Sequence, residues 1–280
     1  MLFYFSATGN TKHVLEEIKA DEESVVFIPD AIRNGDFDFE VVDYRIGILS
    51  PTYFWGLPSV VKDFLKKVHF KYKDKPYCFY VATCGTTPGG SGSIAKDLLK
   101  NKGLSLDACF DIRMPDTWTV IFNLSNEKKV DKKLLKSDEE IQKLKCQLKR
   151  RITGMHMGLT TPRFVADYYQ KTYDNKVRKT RNLSVSNTCI GCGLCARNCP
   201  AHAIEIKDKK PIWIKESCIM CLGCLHRCPK HAIYYGNGKA TNSHGQYTYP
   251  KSGRKWKLSD LLFGFFLLFI FGFIVKAPVH

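Results

Sequence analysis

Eight of the chain's twelve cysteines fall in two runs, Cys189, Cys192, Cys195, Cys199 and Cys218, Cys221, Cys224, Cys228. Each run is spaced Cys-x2-Cys-x2-Cys-x3-Cys and is followed by proline, Pro200 or Pro229. A two-residue gap makes a tight turn, so the first three thiolates of a run converge on one small inorganic centre while a fourth ligand must arrive from elsewhere. This spacing wraps a chain around cubane iron–sulfur clusters, whose chemistry is one-electron transfer. Disulfides between cysteines so close in sequence would be strained, and structural zinc takes two separated pairs of ligands.

The runs also form an internal repeat with a period of 29 residues: Cys189 aligns with Cys218, Pro200 with Pro229, and His202-Ala203-Ile204 with His231-Ala232-Ile233. A repeat of this kind implies a pseudo-twofold module. The pattern resembles that of two-cluster bacterial ferredoxins, a small α+β fold. The resemblance implies that the fourth ligand comes from the opposite run, so that Cys189, Cys192, Cys195 and Cys228 hold one 4Fe-4S cluster and Cys218, Cys221, Cys224 and Cys199 its twin. With eight thiolates filling both sites, His202 and His231 read as packing or hydrogen-bonding groups. Gly191, Gly193 and Gly223 read as positions where backbone amides approach cluster sulfur.

A second kind of chemistry is written in three loops of the N-terminal half. Ser6-Ala7-Thr8-Gly9-Asn10-Thr11 follows a strand-like Leu2–Phe5 and opens a helix carrying apolar Val14, Leu15 and Ile18. Hydroxyls and free amides at a helix N-terminus suit a phosphate monoester. The second loop runs from Ser50 to Pro58 and contains Pro51, Thr52, Tyr53, Phe54, Trp55 and Gly56. The third runs from Thr83 to Ser91 and contains Cys84, Gly85, Gly89 and Gly90. Strand-like Val25–Ile28, Ile46–Leu49, Tyr77–Ala82 and Leu104–Ile112 alternate with helix-like Leu57–Val68 and Ser93–Lys100, the pattern of a doubly wound parallel sheet with ligands at the carboxyl ends of its strands. No Gly-x-x-x-x-Gly-Lys-[Ser/Thr] and no Gly-x-Gly-x-x-Gly follows these strands, which leaves nucleotide hydrolysis and a built-in nicotinamide site without support.

Together the three loops resemble those of flavodoxins. The resemblance implies strand order 2-1-3-4-5 and FMN bound by Ser6, Thr8, Gly9, Asn10, Thr11, Pro51, Thr52, Tyr53, Phe54, Trp55, Gly56, Thr83, Cys84, Gly85, Gly89 and Gly90. Cys84 otherwise reads as a small half-buried side chain, and Trp118, in Met114-Pro115-Asp116-Thr117-Trp118, as packing more than as a flavin cap. From Met1 to about Pro250 the order of features resembles the fused flavodoxin/ferredoxin proteins called ferrodoxins, which implies a cytoplasmic electron-transfer flavoprotein with FMN and two 4Fe-4S clusters. An FMN-dependent reductase of an organic or quinone acceptor, fed by its own clusters, is the alternative.

The organisation expected is a flavodoxin-like domain over 1–155, a basic linker over 156–183, a cluster domain over 184–238, a second linker over 239–257 and a hydrophobic helix over 258–275. Apolar Ile141, Leu144, Leu148, Ile152 and Met155 predict the last helix of the first domain over 138–155. Residues 1–122 carry 14 basic and 16 acidic side chains, 123–188 carry 16 and 7, and 189–280 carry 13 and 4, so the net charge of +16 lies in the rear of the chain. That surface suits an acidic redox protein such as a ferredoxin, a membrane redox complex or an anionic membrane; no motif points to nucleic acid. Leu261–Val275 is uncharged and follows Arg254-Lys255-Trp256-Lys257, as a C-terminal anchor to the cytoplasmic face of a membrane would.

Overall fold

The apolar runs that read as strands lie side by side in the computed structural model, which describes residues 1–236 and 243–249. Strands β1 (Leu2–Tyr4), β2 (Val25–Phe27), β3 (Arg45–Pro51), β4 (Tyr77–Cys84), β5 (Ala108–Arg113) and β6 (Gly154–His156) form one sheet. Its order is β2-β1-β3-β4-β5-β6, and every neighbouring pair is parallel. The first five strands have the expected 2-1-3-4-5 order, and β6 adds an edge. All eight residues of β4 are buried, as befits a central parallel strand covered on both faces.

Five helices provide that cover: α1 (Asn10–Ile18), α2 (Ile28–Asn34), α3 (Ser59–Lys67), α4 (Ser91–Lys100) and α5 (Glu127–Lys149). Ile28, Val61, Phe64, Ile94 and Ala95 of α2, α3 and α4 pack on one face of the sheet. Val14, Leu15 and Ile18 of α1 and Leu134, Ile141 and Leu148 of α5 pack on the other. A fully buried side chain such as Phe64 or Leu15 contributes roughly 1.5–3 kcal/mol.

The last helix of this layer differs from the expected 138–155. It begins eleven residues earlier, at Glu127, capped by the Asn126 side chain accepting from the Lys129 amide at 3.0 Å. It ends at Lys149, because Arg151 turns left-handed at φ 47° and Gly154 at φ 111°, and Met155 passes into β6 half-exposed. The early turns escape the apolar pattern because buried Ser137 interrupts the stripe; its hydroxyl donates to the Arg113 carbonyl at 2.6 Å.

The connector is structured too. It forms α6 (Arg163–Thr172), a single π turn over Tyr173–Val177 and a short turn over Thr180–Asn182. Beyond it the two halves of the cysteine repeat interlock. Strand β7 (Leu183–Val185) pairs antiparallel with β10 (Ile233–Tyr235), and β8 (Ile204–Lys207) with β9 (Lys210–Trp213). Helices α7 (Leu194–Arg197) and α8 (Gly223–His226) lie within the two runs and carry the third cysteine of each, Cys195 and Cys224. Residues Met1–Tyr249 form one compact unit. Among the described residues no helix is long and apolar enough to cross a membrane, and the run 258–275 lies outside them.

Candidate functional site

The turn between β1 and α1 passes through Gly9 at φ 104°, a conformation closed to other residues at low cost. A Cβ there would also lie 2.0 Å from the Tyr249 carbonyl oxygen, so the position admits glycine alone on two counts. Thr8 and Thr11 are buried, Thr11 Oγ1 hydrogen-bonds Thr83 Oγ1 at 2.8 Å, and Ser6 Oγ is buried with no partner among the described residues. An orphaned buried hydroxyl beside a helix N-terminus is what a phosphate oxygen would satisfy.

These residues open on a cavity of ≈ 210 Å³ at the carboxyl ends of the sheet strands. Its walls include Ser6, Thr8, Asn10 and Thr11 from the first loop, Pro51, Thr52, Tyr53, Phe54 and Trp55 from the second, and Thr83, Cys84 and Gly85 from the third. Four expected residues do not line it. Gly9 packs on Tyr249, Gly56 closes a bridge with Tyr53, and Gly89 and Gly90 lie under Trp55, whose carbonyl accepts from the Gly90 amide at 2.7 Å. They shape the loops that line the cavity.

The aromatic loop is held in a strained form, with Phe54 at φ 46° and Trp55 at φ 58°. The connector holds it there. Gln170 Nε2 donates to the carbonyls of Tyr53 at 2.7 Å and Phe54 at 3.2 Å, Tyr169 stacks on Trp55 with centroids 4.1 Å apart, and Tyr173 stacks on Phe54. Trp118 also lines the cavity, edge-on to Phe54 at 5.3 Å and to Tyr235 at 5.0 Å, so it both packs and faces the site. Cys84 is buried with its thiol toward Asp111, and burial raises its pKa well above the ordinary range, which suits an inert side chain.

The loop after β5 supplies Asp116 to the same cavity. Burial raises its pKa; the Trp118 amide, which its carboxylate accepts at 3.0 Å, and the charge of Lys133 partly oppose the rise. Nothing in the sequence singled out Asp116, although its place just past a sheet strand's carboxyl end is a general signal.

The cysteines surround two further cavities, each of ≈ 20 Å³. One is lined by Cys189, Cys192, Cys195 and Cys228, the other by Cys199, Cys218, Cys221 and Cys224. No three His, Cys, Asp or Glu side chains among the described residues converge as the ligands of a single ion do. Backbone amides already point at sulfur: Met220 to Cys218 at 3.2 Å, Ala203 to Cys199 at 3.4 Å and Ala232 to Cys228 at 3.3 Å. Burial pushes the Cys218 thiol up to about 11 and Cys221 up to about 12, so these sulfurs ionise at neutral pH only with a compensating metal centre. His202 and His231 are exposed and line neither cavity; His202 Nε2 meets the Arg33 guanidinium at 3.2 Å.

The second cysteine loop also walls the large cavity, through Met220, Cys221 and Leu222. Met220 and Leu222 adopt φ 52° and 54°, where the first run has Gly191 at 67° and Gly193 at 72°. The repeat therefore departs from glycine where its side chains face the cavity, a signal readable in the alignment of the two runs.

A hydroxyl-rich phosphate loop, an aromatic loop and two four-cysteine cavities define an electron-transfer protein that uses a flavin and iron–sulfur. Residues 1–132 match the family model described as a flavodoxin domain, and residues 188–233 the one described as a 4Fe-4S dicluster domain. The chain is a fused flavodoxin/ferredoxin, and its role is electron transfer with FMN and iron–sulfur. A search of the curated proteins finds no match.

Proposed function

We propose that the chain passes electrons one at a time between a redox partner and FMN through two 4Fe-4S clusters, one held by Cys189, Cys192, Cys195 and Cys228, the other by Cys218, Cys221, Cys224 and Cys199. The reading is carried by one observation: Met220, Cys221 and Leu222 of the second run line the same cavity as the phosphate and aromatic loops. When bound, FMN exchanges electrons singly or in pairs and so joins one-electron carriers to two-electron chemistry. Ser6, Thr8 and Thr11 would hold the phosphate, Tyr53 and Trp55 would pack against the ring, and Met220 and Leu222 would keep water from the gap between ring and cysteine loop.

Anaerobic analysis is expected to find about eight iron, eight sulfide and one FMN per chain. Zinc in place of iron, or a flavin-free protein after reconstitution, would refute the reading. Cys199→Ala is expected to disturb first the paramagnetic signal of the cluster held by the second run. We also propose that the apolar run 261–275 anchors the chain to a membrane. Deleting everything after Lys257 is then expected to release a soluble protein with its cofactors intact, as fractionation in high salt would test.

A further inference from the structure

The two halves of the cysteine repeat have the same spacing but opposite surroundings. Ile219, between the first two cysteines of the second run, is 4% exposed, while its counterpart Ile190 is 58% exposed. Met220 and Leu222 are buried against the large cavity, whereas Cys192 in the first run reaches solvent. His226 is buried between the two modules; its counterpart Arg197 is exposed and donates to the Cys192 carbonyl at 2.9 Å. The second cysteine set is thus walled in beside the flavin cavity, while the first shows one of its four cysteines, Cys192, to solvent.

Around Cys192 the first set has a charged rim. The hairpin between β8 and β9 turns through Asp208 and Lys209 at φ 48° and 60°, which brings the Lys209 backbone against Gly191. Lys210 Nζ contacts the Asn187 side chain, and Lys230 lines the first cysteine cavity. Arg197, Lys209, Lys210 and Lys230 are all exposed, and none is in an ion pair among the described residues. Asp208 and Glu205 stand against them, leaving the rim positive around an apolar centre at Ile190.

Resting on the two-cluster reading above, we propose that this rim is the docking surface for a small acidic one-electron carrier protein, and that electrons arrive at the Cys189/Cys192/Cys195/Cys228 set and leave through the second set toward the flavin cavity. Opposite charges would steer the carrier and orient it, while Ile190 would give it a dry contact beside the outermost sulfur. Each docking oxidises the carrier by one electron and reduces the first set by one. Two dockings supply the electron pair of a fully reduced flavin, and its protons come from solvent.

Lys209→Glu combined with Lys210→Glu tests this in the holoprotein, with a dithionite-reduced acidic [2Fe-2S] ferredoxin as the probe carrier. Iron and flavin analysis of the wild type and of each variant comes first: a wild type without iron or flavin would sink the electron-transfer reading, whereas a variant that loads both reports on docking alone. The double variant is expected to slow reduction by the probe at least about tenfold at low salt, with a much smaller gap at high salt. The equal charge change Lys143→Glu with Lys149→Glu on α5 is expected to leave the rate within about twofold. Carbodiimide cross-linking, which joins carrier carboxylates to nearby lysines, is expected to map to Lys209, Lys210 and Lys230. A fully loaded double variant reduced at the wild-type rate, or cross-links confined to other lysines, would overturn the assignment.

Discussion

Asp116 and Leu222 show how single residues trade stability for the shape of the cavity. Burial raises the pKa of Asp116, so ionising it in the folded chain costs more than in the unfolded one. The stability it lends is therefore full below the ordinary carboxylate range and is lost as pH rises through its folded value. Asp116→Asn keeps the acceptor for the Trp118 amide and removes the charge. Its melting midpoint is expected to match wild type in acid and to exceed it from roughly pH 4 to 7, as a series of thermal scans would show. An unchanged gap across that range would mean that Lys133 already compensates the carboxylate. At Leu222 the left-handed backbone costs about 1–2 kcal/mol, but burying the side chain returns about 1.5–3 kcal/mol, so packing wins. Leu222→Gly is expected to lower the urea midpoint of the anaerobic protein; a rise would show that strain dominates.

At the scale of elements, the segment 243–249 acts as a strap over the phosphate loop. The Tyr249 amide donates to the Thr8 carbonyl at 2.7 Å, Tyr247 donates to Asn10 Oδ1 at 2.7 Å, and Asn10 Nδ2 in turn donates to the Pro115 carbonyl at 3.0 Å. Tyr247→Phe leaves a buried amide oxygen unpaired, at a cost of about 1–3 kcal/mol. A rise in the FMN dissociation constant of about fivefold or more is expected, read by flavin fluorescence titration. Gly9→Ala should weaken binding further, since its methyl meets the Tyr249 carbonyl and its φ is unfavourable. If Gly9→Ala binds FMN like wild type, the strap is not coupled to the loop. The loops themselves were legible because hydroxyls, aromatics and glycines cluster at the ends of apolar runs. The strap was not: Ser243 to Tyr249 has no periodicity, and its partners are scattered along the chain, from Thr8 and Asn10 to Thr119 and His226.

For the whole molecule, His226 joins three parts at once. Its Nδ1 accepts from the Tyr247 amide at 3.2 Å, so its Nε2 carries the proton and donates to the Thr117 carbonyl at 2.8 Å. One buried ring thus ties the second cysteine helix to the strap and to the loop that carries Asp116. His226→Leu preserves bulk and removes both bonds, and the Tyr247 amide is then expected to lose its protection in hydrogen exchange while amides within β4 keep theirs. Two modules and their order were readable from cysteine spacing and loop chemistry. How they lock together was not, because Gln170, Tyr173 and His226 act through contacts between segments that no local pattern connects.

The strap also sets an order of events during synthesis. Asn10 leaves the ribosome early, but the tyrosine that holds it follows 237 residues later, after both cysteine runs have been translated. An N-terminal sheet that folds as it emerges therefore waits with its phosphate loop uncovered until the rest of the chain arrives. Any product cut short before Tyr247 lacks the clasp over Asn10, so flavin retention would report that translation has passed the strap.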